Sequence, residues 1–235
     1  MNLLALASEG LALPCITVLP TFQPPYYTET VFDFLLDILF PRRCLGCGKI
    51  DRYLCPNCQK TVRFYSPLIA PNYPKTPYID GLYVLAHYDG IIRRAVRDIK
   101  YRGRYAILTE LASLILQKYH YKFCFDYLVP VPLSKERLKS RGFNQAEVLA
   151  KNLKLAPVLN CLTRIRDTRP QFDLKLTQRR QNVKDAFAIS HKLRATSYCL
   201  VDDVCTTGST LSECAKVLKT AGASKVYAVC IARGN

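Results

Sequence analysis

The sequence predicts an α/β fold, a mostly parallel sheet flanked by helices, with a small cysteine-rich module ahead of it. Three observations carry that expectation. Short apolar runs alternate along the chain with longer segments whose apolar residues recur at helical spacing. One run, SYCLVDDV, is apolar without alternation, as a strand covered on both faces must be. Finally, four of the eleven cysteines crowd between residues 44 and 58, whereas the others stand singly.

At 235 residues the chain is long enough to bury one substantial core and carry a small appendage. Apolar residues make up 49% of it, which excludes a disordered chain over most of its length. Charge is spread unevenly. The first 41 residues hold four acids and no Lys or Arg, so the rest carries +20 against +16 for the whole. Such a basic body suits nucleic acid, an acidic membrane or a phosphate-rich small molecule, although solubility alone would also account for it. Pro14, Pro20, Pro24 and Pro25 interrupt the early uncharged run, so it does not supply the ~20 apolar residues of a spanning helix. No basic residue precedes Leu3 as a signal peptide would require. A cytoplasmic protein is expected, with residues 1–30 a poorly structured leader, 31–66 a short helix and metal ribbon, and 80–235 the main domain.

In chain order, VFDFLLDILF comes first as a short amphipathic helix, with Asp33 and Asp37 on one face. CLGCGKIDRYLCPNC follows and spells C-x2-C-x7-C-x2-C. Each C-x2-C pair is a tight turn that aims two thiolates at one point, so Cys44, Cys47, Cys55 and Cys58 make a closed tetrahedral set suited to a structural zinc ion. Disulfides or an iron–sulfur cluster would use the same residues, but nothing else points to an oxidising compartment. DGLYVLAHYDG reads as a strand around residues 82–87, and IIRRAVRDIKYRG as a helix with its basic residues outward, ending near Gly103. AILTELASLILQKYH is a second helix, YLVPVPLS a strand stopping at Pro132, and GFNQAEVLAKNL a helix starting past Gly142. NCLTRIRD and AFAIS are short strands; SYCLVDDV is a strong one. Residues 209–220 form a helix stopped by Gly222, and KVYAVCIA is the last strand.

The stretch VDDVCTTGSTL joins a buried strand to a helix, where α/β sheets place their ligands. Gly208 allows a sharp turn, and the amides of residues 206–210 form an anion cradle at a helix N-terminus, with the hydroxyls of Thr206, Thr207, Ser209 and Thr210 beside it. Asp202 and Asp203, by contrast, accept hydrogen bonds, which two sugar hydroxyls supply. A phosphate close to a vicinal diol is a ribose 5-phosphate. No G-x-x-x-x-G-K-[ST] and no G-x-G-x-x-G after a strand occurs, so the acid pair belongs neither to a nucleotide-binding P-loop nor to a dinucleotide fold.

That run resembles the phosphoribosyl pyrophosphate (PRPP) signature of type I phosphoribosyltransferases. Together with LVPVPLSKERLKSRGFNQAEVLAKNL, TRPQFDLKLTQRRQNVKDAF, IKYRGR and the four-cysteine ribbon, it resembles the ComF family, a bacterial group of amidophosphoribosyltransferase-like proteins named for natural competence and DNA uptake. The likeness covers roughly residues 31–235. It implies a phosphoribosyltransferase-like sheet, ribose hydroxyls on Asp202 and Asp203, and the 5′-phosphate on Thr206, Thr207, Gly208, Ser209 and Thr210. It places pyrophosphate on the long basic loop LSKERLKSRGF, with Arg137 and Arg141 as contacts and Gly142 as its turn. Residues 168–184 correspond to the loop that closes over the transition state, with Arg179 and Arg180 as its catalytic, charge-stabilising members. PRPP is highly anionic and Mg2+ offsets only part of its charge, which suits thirteen Lys or Arg against four acids over residues 134–184.

The departures are equally specific. Thr206 stands where hypoxanthine-type enzymes carry an aspartate base, and no nucleobase hood has a counterpart. Cys205 lies in the loop but reads as a small buried hydrophobe, and His87, His120 and His191 fall in no catalytic pattern. Two classes of function follow. One is Mg2+-dependent phosphoribosyl transfer to an acceptor the sequence does not name. The other is a non-catalytic module for single-stranded DNA, working with competence or recombination proteins, in which Tyr101, Phe143 and Phe172 stack bases among the basic loops.

Overall fold

The computed structural model describes residues 41–65, 77–119, 125–166, 183–189 and 192–234. The helix expected over 31–40, Phe172, His120, His191 and the loop arginines Arg179 and Arg180 lie outside the described residues. Elements are numbered here in chain order. After the one-turn helix α1 (Pro56–Gln59) come β1 (Gly81–His87), α2 (Gly90–Arg102), α3 (Ile107–Tyr119), β2 (Tyr127–Pro130), α4 (Lys135–Arg141) and α5 (Gln145–Leu153). They are followed by β3 (Leu162–Arg164), β4 (Phe187–Ile189), β5 (Ser197–Cys205), α6 (Ser209–Thr220) and β6 (Lys225–Arg233).

The main sheet has the order β1-β6-β5-β2 and is parallel throughout. Parallel pairing requires helical crossovers, and these cover both faces. Side chains of β5 divide accordingly. Cys199 and Val201 join the core under α2, α3 and α5, while Tyr198 and Leu200 join the core under α6. Both edges are occupied. Residues 63–65 pair antiparallel with β1 through Tyr65 N to Leu85 O and His87 N to Arg63 O. On the far side residues 157–159 run beside β2. The strands β3 and β4 pair separately and antiparallel, flanking the segment that contains the expected closing loop.

The connections decide where a ligand can sit. The helix leaving β5, α6, packs on one face of the sheet, and α5, which follows its neighbour β2, packs on the other. A crevice therefore opens between the carboxyl ends of β5 and β2, at the switch point where α/β sheets bind ligands.

One expectation is corrected. The basic stretch after β2 is not a long loop: residues 135–141 form α4, with the Ser134 hydroxyl accepting from Arg137 N at its start and Gly142 in the left-handed region (φ 77°) at its end. Both signals stood in the sequence. What was missing was an apolar stripe, since Leu138 is the helix's only aliphatic residue and is exposed.

Candidate functional site

The acid pair sits at the carboxyl end of β5. Alternation along the strand turns Asp203 inward, where it is 4% exposed, and leaves Asp202 half-buried at the crevice floor. The backbone amide of Asp203 donates to Asp202 Oδ1 at 2.8 Å. Burial, and then the neighbouring Asp203 charge, push the Asp202 carboxyl up to about 7, with Lys100 opposing the shift. Asp203 Oδ2 is buried and accepts no hydrogen bond of good geometry, yet the Lys100 ammonium lies 2.9 Å from it, so the contact is an ion pair rather than a directed bond.

Beyond Cys205 the chain turns through residues 206–208. Gly208 occupies the left-handed region (φ 70°) that a side chain would strain, and α6 starts directly after it with no side-chain cap. A helix start without a side-chain cap is a place that suits an anion. Thr207 Oγ1 lies 2.7 Å from Ser209 Oγ, and Ser209 N donates weakly to the same Thr207 oxygen at 3.3 Å. Gly234 braces the loop from behind. Its amide donates to Cys205 O, and a Cβ there would come within 2.9 Å of Thr206 Cγ2. Gly208 and Ser209 are buried in the turn, whereas Thr206 and Thr210 face the crevice.

The crevice has a volume of about 790 Å³. Arg137 and Arg141 reach it from α4, and Arg141 is held by donating to Gln145 Oε1 at 3.0 Å. Burial depresses the Arg141 pKa from its ordinary value, while the Asp203 charge supports it. Gly142 ends α4 and does not line the crevice. The opposite wall adds to a second expectation. Arg93 and Arg97 point outward and are exposed, as expected, and with Lys100 they form a stripe at i, i+4, i+7 on α2 that lines the crevice, next to Tyr101. Arg164 of β3 adds a further cation, so six cationic side chains surround two carboxylates. Sequence reasoning missed Arg93, Arg97, Lys100 and Arg164. For the first three, their own spacing in IIRRAVRDIKYRG was the signal.

The cysteines form a separate centre. The ligand atoms of Cys44, Cys47, Cys55 and Cys58 all lie within 4.8 Å of one another. Sulfurs about 2.3 Å from one tetrahedral ion stand about 3.8 Å apart, and Cys47 Sγ and Cys55 Sγ are 3.7 Å apart. Backbone amides support the ligands, Gly46 N toward Cys44 Sγ and Cys58 N toward Cys55 Sγ. Gly46 has to be glycine, because a Cβ there would meet Cys58 Sγ at 2.5 Å and Ile91 of α2 at 3.2 Å. A structural Zn2+ fits this set, and the expected role is met. The ribbon is also tied to the body: the Glu110 carboxylate on α3 accepts from Tyr53 N at 2.9 Å and Leu54 N at 2.8 Å.

Known proteins resemble this chain. Residues 35–71 match the double zinc ribbon domain family. The chain is 29% identical over 205 residues to competence protein F of Haemophilus influenzae, covering 81% of this chain and 90% of that protein. It is 32% identical over 205 residues to the DNA utilization protein YhgH of Salmonella typhimurium, covering 81% and 89%. With competence protein ComFC of Bacillus subtilis it shares 28% over 190 residues, 76% and 78%. Among solved structures, a purine phosphoribosyltransferase from Pyrococcus horikoshii aligns with a TM-score of 0.31 at 21% identity, over 56% of this chain and 72% of that one. Ribbon, sheet and a relative matched at 32% identity over 89% of its length agree with the family expected from the motifs: the chain belongs to the ComF family.

Proposed function

We propose that the crevice binds PRPP, or a closely related sugar phosphate, and that the protein serves the uptake or use of DNA as its relatives' names indicate. One observation carries the first part: the acid pair of β5, the uncapped start of α6 and the arginines of α4 converge on a single crevice at the sheet's switch point. Asp202 and Asp203 accept from the ribose hydroxyls. The amides and hydroxyls of residues 206–210 hold the 5′-phosphate, and Arg137 and Arg141 take the pyrophosphate. When bound with PRPP, Mg2+ would neutralise part of the pyrophosphate charge. Transfer of the phosphoribosyl group to an acceptor then needs orientation and stabilisation of departing pyrophosphate more than a general base, and Arg179 and Arg180 are assigned to that stabilisation. The working compartment is the cytoplasm. Among the described residues no helix is long and apolar enough to cross a membrane.

Titration calorimetry tests this reading. Wild type should bind PRPP and, more weakly, ribose 5-phosphate. Arg141→Ala should lose about tenfold for PRPP and much less for ribose 5-phosphate, which lacks the pyrophosphate. Equal losses would remove Arg141 from the pyrophosphate site. A wild type that ignores both ligands would end the proposal.

A second reading rests on Tyr101 at the crevice, 69% exposed, and Tyr105 just past the end of α2, 60% exposed, with the arginines of α2 and of the turn after it nearby. Tyr105 packs edge-on against Phe143. Such a surface stacks and neutralises a single DNA strand without catalysis. Log K for an oligonucleotide should then fall against log salt with a slope of about 0.7 per phosphate neutralised. A flat slope would remove DNA from this surface.

A further inference from the structure

Arg102, Gly103 and Arg104 of the motif IKYRGR remain outside the roles given so far. These residues share one local task. Gly103 takes the left-handed conformation (φ 65°) that closes α2, and its amide donates to Asp98 O. The largely buried Asp98 carboxylate is then gripped by Arg104 at 3.0 Å and Arg102 at 3.3 Å. These contacts fix the last turn of α2, and that turn carries Lys100. The side chain of Lys100 is 20% exposed, and its ammonium lies 2.9 Å from the buried Oδ2 of Asp203.

An adjacent pair of carboxylates at a crevice floor usually invites a divalent cation. Here the innermost oxygen of the pair already faces a cation on the chain's own helix, and no other donor reaches it among the described residues. We infer that Lys100 is a built-in counter-ion for the acid pair: it takes the place of a metal ion on Asp203, offsets the charge of that carboxylate and orients it, and lets a vicinal diol dock on the pair without a divalent cation. Any metal that enters the crevice then arrives on the ligand's own phosphates. Arg102, Gly103 and Arg104 are positioning residues for this lysine. The claim about the metal stands independently of the ligand. The claim about the diol rests on the sugar-phosphate reading above.

The two claims are tested separately. First, Mn2+ is titrated into the zinc-loaded free protein and followed by electron paramagnetic resonance. Wild type should show no Mn2+ site at the acid pair. Lys100→Met, which keeps length and removes charge, should gain one site that disappears in Lys100→Met/Asp203→Asn. A wild-type Mn2+ site lost in Asp203→Asn, or no gain in Lys100→Met, would overturn the inference.

Second, ribose 5-phosphate is titrated in EDTA and in Mn2+. This probe has the diol and one phosphate but no pyrophosphate to chelate metal. Wild type should bind equally in both. Lys100→Met should bind about tenfold more weakly in EDTA and recover in Mn2+, and Lys100→Arg should stay near wild type in EDTA. A merely structural lysine would weaken binding in both buffers alike, and that result would overturn the inference. If wild type binds no ribose 5-phosphate at all, the sugar-phosphate reading fails while the Mn2+ arm still decides the role of Lys100.

Discussion

Asp202 carries a half-buried charge that the fold holds at a cost. Its carboxyl titrates near 7 because burial and Asp203 disfavour the anion. A raised carboxyl pKa means that the folded state binds the proton more tightly than the unfolded chain. Its contribution to stability is therefore full below the unfolded value of about 4 and is lost as pH rises to about 7. Asp202→Asn removes that titration, so the variant should gain on wild type in denaturant midpoint at about pH 8 and not at about pH 4. Ligand binding runs the other way. A ribose hydroxyl donates best to the anion, so ribose 5-phosphate affinity should rise with pH through about 7 in wild type, and that portion of the rise should be missing in Asp202→Asn. In Asp202→Asn/Asp203→Asn, each lost hydrogen bond to a charged acceptor costs about 1.5–3 kcal/mol, so PRPP affinity should drop at least about tenfold. Inorganic phosphate, held by residues 206–210 and not by the carboxylates, should bind as well or slightly better. PRPP affinity that survives the double substitution would show that the carboxylates serve something other than ribose.

Among the elements, the join between ribbon and body is where one side chain does most. Two adjacent backbone amides, those of Tyr53 and Leu54, have the Glu110 carboxylate as their shared acceptor, and Leu54 is fully buried beside it. Glu110→Ala leaves those donors unpaired at about 1–3 kcal/mol each. The variant should melt measurably earlier and release zinc faster to a chelator. Wild-type melting and release would show that the clamp is idle. Nothing in the sequence singles out Glu110, because an acid in the first turn of a helix is explained by the helix dipole alone. The same limit recurs elsewhere. Strands and helices with strong periodicity were legible, as were the acid pair, the glycine turn and the cysteine knuckles, because each is local in sequence. Short α4 lacked an apolar face and read as a loop. The stripe of Arg93, Arg97 and Lys100 read only as an outward helix face, since nothing local in the sequence shows that it borders the same crevice as the end of β5.

At the level of the whole molecule, metal centre and crevice share one structure. Cys44, Leu54 and Cys55 of the ribbon belong to the same buried cluster as Ile91, Ile92, Val96 and Ile99, the inner face of α2. Gly46 lies so close to Ile91 that a methyl group does not fit between them without displacement. The outer face of that helix carries Arg93, Arg97 and Lys100 into the crevice. Zinc-binding energy in such a ribbon is folding energy, so removing the ion loosens the surface on which α2 is packed as well as the knuckles themselves. Zinc loss, by chelation or through Cys44→Ser, should therefore raise hydrogen exchange in α2 and weaken ribose 5-phosphate binding by several-fold, while exchange in the central strands β5 and β6 stays slow. Elemental analysis, exchange measured by mass spectrometry and calorimetry on the same samples would report the three quantities together. The coupling is refuted if protein that has lost its zinc keeps both α2 protection and ligand affinity. A native protein without stoichiometric zinc would remove the metal centre itself.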